Sequence, residues 1–164
     1  MTDAVSERKP VPAPRSARAY VRLAGDVERP RSFPVSALRD LPQYTIEAEY
    51  VCAREGLRRH TFTGPLLADL ALAAGPRFDP LVTKDRLRFL LAVTGADGHT
   101  TVFSWGEIDA HYGHNDVVIA ASMDGRSLEA DGPHLAVPGD LAGGRYVSRI
   151  TRIWVGPAER AVPL

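Results

Sequence analysis

The sequence predicts an α+β fold of mixed, mainly antiparallel β-sheets with a few short helices, and three observations carry that reading. Period-two alternation marks YTIEAEYV, where Tyr44, Ile46, Ala48 and Tyr50 share one face and Thr45, Glu47 and Glu49 the other. Asp97–Gly98 and Asp124–Gly125 are hairpin turn pairs lying between strand-like runs. Helical patterns occur mainly in PLLADLALAAG and SWGEIDAHYG, so strands outnumber helices.

In chain order, AYVRLAG reads as a strand ending at Gly25, and DVERP turns the chain. FPVSALRDLP is an extended lead-in to one helical turn, closed by Pro42. YTIEAEYV follows, with Cys52 just beyond its end and a short loop running from there toward Gly64. Pro65 suits a first helical position, where a missing N–H is harmless, and Gly75–Pro76 supplies the stop. Leu66, Leu67, Leu70 and Ala74 form the apolar stripe of that helix. RLRFLLAV is apolar enough for a central strand, and Ala96–His99 turns it into TTVF. Ser104 and Glu107 have capping-box spacing at the start of the second helix. VVIAASMDGRSL, HLAVP and YVSRITRIWV complete the strands, with Arg149 and Arg152 on a solvated face and Trp105 and Trp154 in packing roles.

A chain of 164 residues suits one domain with a proper core. The boundaries expected are a proline-rich tail over 1–18, a folded domain over 19–157 and a second tail over 158–164. Acidic and basic residues balance at 20 each, so the electrostatic footprint of a nucleic-acid binder is missing. Lys9 and Lys84 are the sole lysines; the arginine excess fits GC-rich codon usage, and only local clusters carry meaning. One cysteine forms no intrachain disulfide, which suits a reducing cytoplasm. No run of ~18 apolar residues is present to span a membrane, and the opening segment lacks the apolar core of a secretory signal. A cytoplasmic protein is the expectation.

The stretch AEYVCAREGLRRHTF sets that cysteine beside Arg54, Arg58, Arg59 and His60. Cations near a thiol favour the thiolate, a soft metal ligand. Arginine forks also bind phosphate and other oxyanions through paired hydrogen bonds. A lone thiol with an anion pocket is consistent with a phosphate-bearing metal cofactor, although on this feature alone a structural or incidental thiol is the commoner case. EIDAHYGHND contains Glu107, Asp109, His111, His114 and Asp116, which could ligand a divalent cation, but Gly113 interrupts the helical spacing and the run reads as a solvated loop. No G-x-S-x-G elbow exists to carry a serine triad.

The order of these pieces resembles the molybdopterin-binding oxidoreductase domain of sulfite oxidases and of methionine-sulfoxide reductase catalytic subunits. VRLAGDVERPRSFPVSALRDLP is similar to the family's opening strand and turn, YVCA to the strand that delivers a molybdenum-ligating cysteine, and TGPLLADLALAAG to its helix. GADGHTTVFSWGEI resembles the D-G-Y hairpin, IAASMDGRSL the segment ending N-G-x-P-L, and GPHLAVPGDLAGGRYVSRITRIWV the closing block. The resemblance implies a sulfite-oxidase-like fold from about Val21 to Val155 and a molybdenum cofactor with Cys52 as thiolate ligand. It implies catalytic roles for Cys52 and Arg54, and cofactor contacts from Arg58, Arg59, His134, Gly143, Gly144 and Arg145. The chemistry implied is oxygen-atom transfer on a small anionic or sulfoxide substrate, with a redox partner protein.

The sequence departs from the pattern in four places. The loop after Cys52 is short, His134 stands where an arginine usually precedes the L-V-V-P run, Ser148 replaces a phosphate-binding lysine, and Phe62 or Thr63 replaces a tryptophan. These departures leave a second reading open: a cofactor-free relative acting as an anion- or ligand-binding or protein-interaction domain.

Overall fold

The computed structural model describes residues 19–161. The tail expected over 1–18 therefore lies outside the described residues. The fold class is the one read from the sequence, with three sheets and short helical segments.

The largest sheet has five strands: β1 (Tyr20–Gly25), β2 (Arg31–Pro34), β5 (Phe89–Gly95), β6 (Thr100–Ser104) and β11 (Ile150–Pro157), in the order β2-β1-β11-β5-β6. The β1–β11 pair is parallel; the others in this sheet are antiparallel. Alternation buries one face only. Val21, Leu23, Phe89, Leu91, Val93, Ile153 and Val155 point inward, fully excluded from water. At the start of β11 a register shift between Ile150 and Arg152 lets both isoleucines face the core despite their odd spacing.

The second sheet is built on a hairpin of β3 (Tyr44–Cys52) and β4 (Gly56–Gly64), extended by β8 (Ser122–Met123) and β9 (Arg126–Ser127). A two-stranded ribbon, β7 (Val118–Ala120) with β10 (His134–Ala136), lies between the sheets. Its alternation shows this: Val118, Ala120 and Ala136 join a core cluster with Ala48 and Phe62 of the hairpin. Ile119 and Leu135 join the larger cluster under the five-stranded sheet. Helix α1 (Leu67–Ala73) packs on that larger cluster through Leu67, Leu70 and Ala71.

Several local expectations need correction. Cys52 is the last residue of β3, paired with Gly56, rather than the first residue after it. The segment read as a loop after Cys52 is β4, nine residues long, reached through a tight turn in which Gly56 takes φ +74. Arg58, Arg59 and His60 are therefore strand residues that alternate between faces. Helix α1 starts at Leu67, with Leu66 as its extended N-cap, so Pro65 precedes the helix. In α2 (Trp105–Ile108), Ser104 makes no side-chain capping hydrogen bond, and the Glu107 carboxylate that would complete the box accepts from Arg145 instead. Past the boundary expected at 157, α3 (Ala158–Ala161) docks on the sheet, with ion pairs Arg160–Asp26 and Arg88–Glu159. Among the described residues, no helix is long and apolar enough to cross a membrane.

Trp105 and Asp109 tie α2 to the core. The buried Asp109 carboxylate accepts from the Trp105 indole at 2.7 Å, from Arg86 at 3.0 Å and from the His111 backbone N–H at 2.8 Å. Burial alone would raise this carboxyl; the hydrogen bonds from His111, Trp105 and Arg86 outweigh it and hold the pKa at about 2. Asp109 therefore stabilises the fold at pH values above its ordinary 3.8, and that contribution disappears as pH falls toward 2. Melting temperature measured from pH 5 to 2 should fall in this window by an amount equivalent to on the order of 1 kcal/mol. Asp109→Asn, being uncharged throughout, should be less stable at pH 5 and show a flatter profile.

Candidate functional site

Strand β3 delivers Cys52 to a cleft of about 470 Å3 lined by Tyr50, Cys52, Arg54, His99, Gly143 and Gly144, with Val51, Ala53 and Ala142. The thiol is free and half-buried. The opposite wall is the segment after β10, in which Gly143–Arg145 form a short 3-10 turn. That wall is held to the hairpin by main-chain pairing: the Val51 N–H donates to Leu141 O at 2.9 Å, and Val51 bridges Ala142.

Tyr50 sets the spacing of the two walls. Its ring stacks on Tyr146 with centroids 3.9 Å apart, and Tyr146 donates its hydroxyl to Val137 O at 3.0 Å. A Cβ on Gly143 would lie 2.8 Å from the Tyr50 ring, so only glycine lets this turn lie against it. A Cβ on Gly144 would meet nothing within 4 Å, so the space beside that residue is open. Burial pushes the Tyr50 phenol up, and the nearby Cys52 adds to the rise, so Tyr50 stays protonated at neutral pH. Gly143→Ala should disturb the stack at a cost on the order of 1 kcal/mol in urea denaturation. In a Tyr50→Ala background the same substitution should cost almost nothing.

The cations divide sharply. Arg54 lines the cleft and is exposed, with no acidic partner among the described residues. Arg58 shares the Cys52 face of the hairpin, opposite Tyr50 in register; it pairs with Glu55, and its buried Nε has no hydrogen-bond partner. Arg59 points from the other face and is held by Glu49 directly across the strands, its Nε 2.9 Å from the carboxylate. Arg145 is committed elsewhere: its Nε and Nη2 donate to Asp140 at 2.8 and 2.7 Å, and its Nη1 donates to Glu107 at 2.6 Å. The guanidinium also lies over the Phe103 ring, 5.1 Å from its centroid. His134 is half-buried on β10 and pairs with Ala120 in register; burial lowers its pKa, which favours the neutral ring. The structure thus brings Cys52, Arg54, Gly143 and Gly144 together. It does not bring Arg58, Arg59, His134 or the bonded guanidinium of Arg145 to the cleft lining.

Tyr50 and His99 join the site although sequence reading gave them other roles. Tyr50 precedes Cys52 by two residues on the same strand face, a signal that period two already contains. His99 comes from the β5–β6 turn, and its Nε2 lies 2.9 Å from Gly144 O. A carbonyl only accepts, so Nε2 is the donor in this contact. No local signal foretells that contact. Among the described residues no cluster of three or more His, Cys, Asp or Glu is placed to hold a metal ion alone. In EIDAHYGHND, Asp109 and Glu107 instead bond Trp105, Arg86 and Arg145.

Fold and cleft together define a β-rich α+β domain with one free thiol at a ligand-sized opening. The chain belongs to the family of oxidoreductase molybdopterin-binding domains, whose sequence pattern matches residues 8–162. Among solved structures the fold is similar to the sulfane dehydrogenase SoxCD from Paracoccus pantotrophus, with a TM-score of 0.64 and 22% identity. The similarity covers 85% of this chain and 39% of that one, so the chain spans about two-fifths of its length. No curated protein matches the chain. The sulfite-oxidase-like framework expected from the sequence resemblance is the fold observed.

Proposed function

We propose that the cleft holds a molybdopterin cofactor, with the Cys52 thiolate as a ligand to molybdenum. The observation that carries this reading is that Cys52 and the Gly143–Gly144 backbone line one cleft from opposite walls. The donors suit the group: a soft sulfur for the metal, a glycine turn with open space beside Gly144 for an anionic part, and one unpaired guanidinium at Arg54. The volume lies within the usual range for bound small molecules, roughly 300–1,000 Å3. When bound, the cofactor supplies two-electron oxygen-atom transfer.

This chain's residues bind and orient. Arg54 offers a fork to the oxygen of a small oxyanion or sulfoxide, and Arg58 adds positive potential on the Cys52 face. Tyr50, neutral at physiological pH, walls the cleft without adding charge. Arg145 acts here as a brace for the glycine turn, and Arg59 and His134 are outside the contacting set. A redox partner protein completes turnover.

A cofactor-free anion-binding relative is the second reading, favoured by the commitment of Arg145 to two carboxylates. Protein made in a host that produces the cofactor separates the two. The first reading expects molybdenum and a pterin, fluorescent after oxidation, in amounts matching the protein. A colourless protein with neither, under conditions that load a control enzyme, supports the second.

A further inference from the structure

The outer face of the five-stranded sheet has no part in the cleft, and among the described residues only the four-residue α3 lies against it, at one end. It presents Arg22 and Arg152, exposed and register-paired on the neighbouring strands β1 and β11. None of the outward positions of the five strands is Asp or Glu. Neither arginine has an acidic partner among the described residues, although the chain as a whole is charge-balanced. Like charges on adjacent strands destabilise a sheet. Beside them Trp154 is half-exposed, and its ring crowds Gly156, where a Cβ would lie 2.6 Å away. A hollow of about 310 Å3 opens there, lined by Ala92, Thr94, Arg152, Trp154, Arg160 and Ala161. Val102, on the same face, is 51% exposed.

We infer that this face docks an acidic partner protein, one that presents carboxylates to Arg22 and Arg152 and an apolar side chain to the hollow beside Trp154. Charge complementarity selects that occupant. Residues 1–18 carry Arg8, Lys9, Arg15 and Arg18 against Asp3 and Glu7, so they would bring charge of the same sign. A second copy related by a two-fold axis would set arginines against arginines. An aromatic anchor flanked by arginines is also the side-chain set that dominates protein interfaces. The inference stands whether or not the cleft holds a cofactor.

The probe is the acetylated heptapeptide Glu-Glu-Glu-Leu-Glu-Glu-Glu, titrated into the full chain by NMR. The readout is the indole N–H of Trp154, with the buried indole of Trp105 as internal reference. Saturable shifts at Trp154 are expected, weakening as salt rises. Arg152→Glu should reduce affinity at least tenfold. It should not lower the melting temperature, because it turns a like-charged pair into an opposite one. Arg126→Glu, the same charge change on a distant hairpin, should leave affinity intact. No shift at Trp154, undiminished binding by Arg152→Glu, or an equal loss in Arg126→Glu would overturn the inference. So would a concentration-dependent dimer abolished by Arg152→Glu, or a shift of the Trp154 signal when residues 1–18 are removed.

Discussion

Replacing Cys52 with serine should leave the fold intact and, on the function proposed above, strip most of the molybdenum. The thiol is a half-buried, unbonded group at the end of β3, so the substitution changes one atom where little packing depends on it. Its stability effect should stay within about 0.5 kcal/mol, as for a surface change. The metal-binding effect should be large, because a serine hydroxyl is a hard donor that stays protonated at neutral pH, whereas a thiol ionises more readily to a soft thiolate. Metal analysis beside thermal melting reads both quantities at once. A Cys52→Ser protein that keeps its full molybdenum content with an unchanged sulfur count removes the thiolate from the site; one that unfolds makes Cys52 a packing residue.

The second large effect falls on Arg145. Three of its five N–H donors are engaged by Asp140 and Glu107, so Arg145→Met strands two carboxylates that are each about three-quarters shielded from water. Breaking a fully buried pair costs roughly 3–5 kcal/mol, and the partial exposure here reduces this to about 2 kcal/mol. A chain of this size should then melt about 4–8 °C lower. The same bonds fasten the Gly143–Gly144 turn, so cofactor retention should fall with stability. Arg145→Lys should recover part of the charge but not the paired fork. If instead Arg145 contacted the cofactor directly, Arg145→Met would lose cofactor while melting at the wild-type temperature.

Local signals were legible in the sequence and non-local ones were not. The alternation in YTIEAEYV, the Asp-Gly turns and the Gly75 stop each act within a few residues, and each appears where expected. Strand β4 was hidden because Arg58 and Arg59 break any apolar alternation. Its stability comes from across the hairpin: Glu49 with Arg59, Thr45 with Thr63, and Phe62 in the core beneath. Those pairs exist only once the register is set. The capping box at Ser104 failed for a related reason, since Glu107 found a cation 38 positions away that no helix-start rule includes.

The candidate site divides the same way. Cys52 and the glycine pair were visible through family resemblance, but their meeting depends on the Val51–Leu141 hydrogen bond and the Tyr50–Tyr146 stack. The arginines looked equivalent in sequence because loop residues have no fixed faces. Strand alternation separates Arg58, on the cysteine face, from Arg59, on the other, while Arg54 stands in the turn at the cleft.

The central claim is that this thiol ligates the metal, and X-ray absorption at the molybdenum edge counts sulfur neighbours directly. With the two dithiolene sulfurs of a pterin, the account predicts three sulfur scatterers in the wild-type protein, and one fewer in any residual metal held by Cys52→Ser. An unchanged sulfur count in that variant, or a wild-type protein that takes up no molybdenum in a cofactor-producing host, contradicts it.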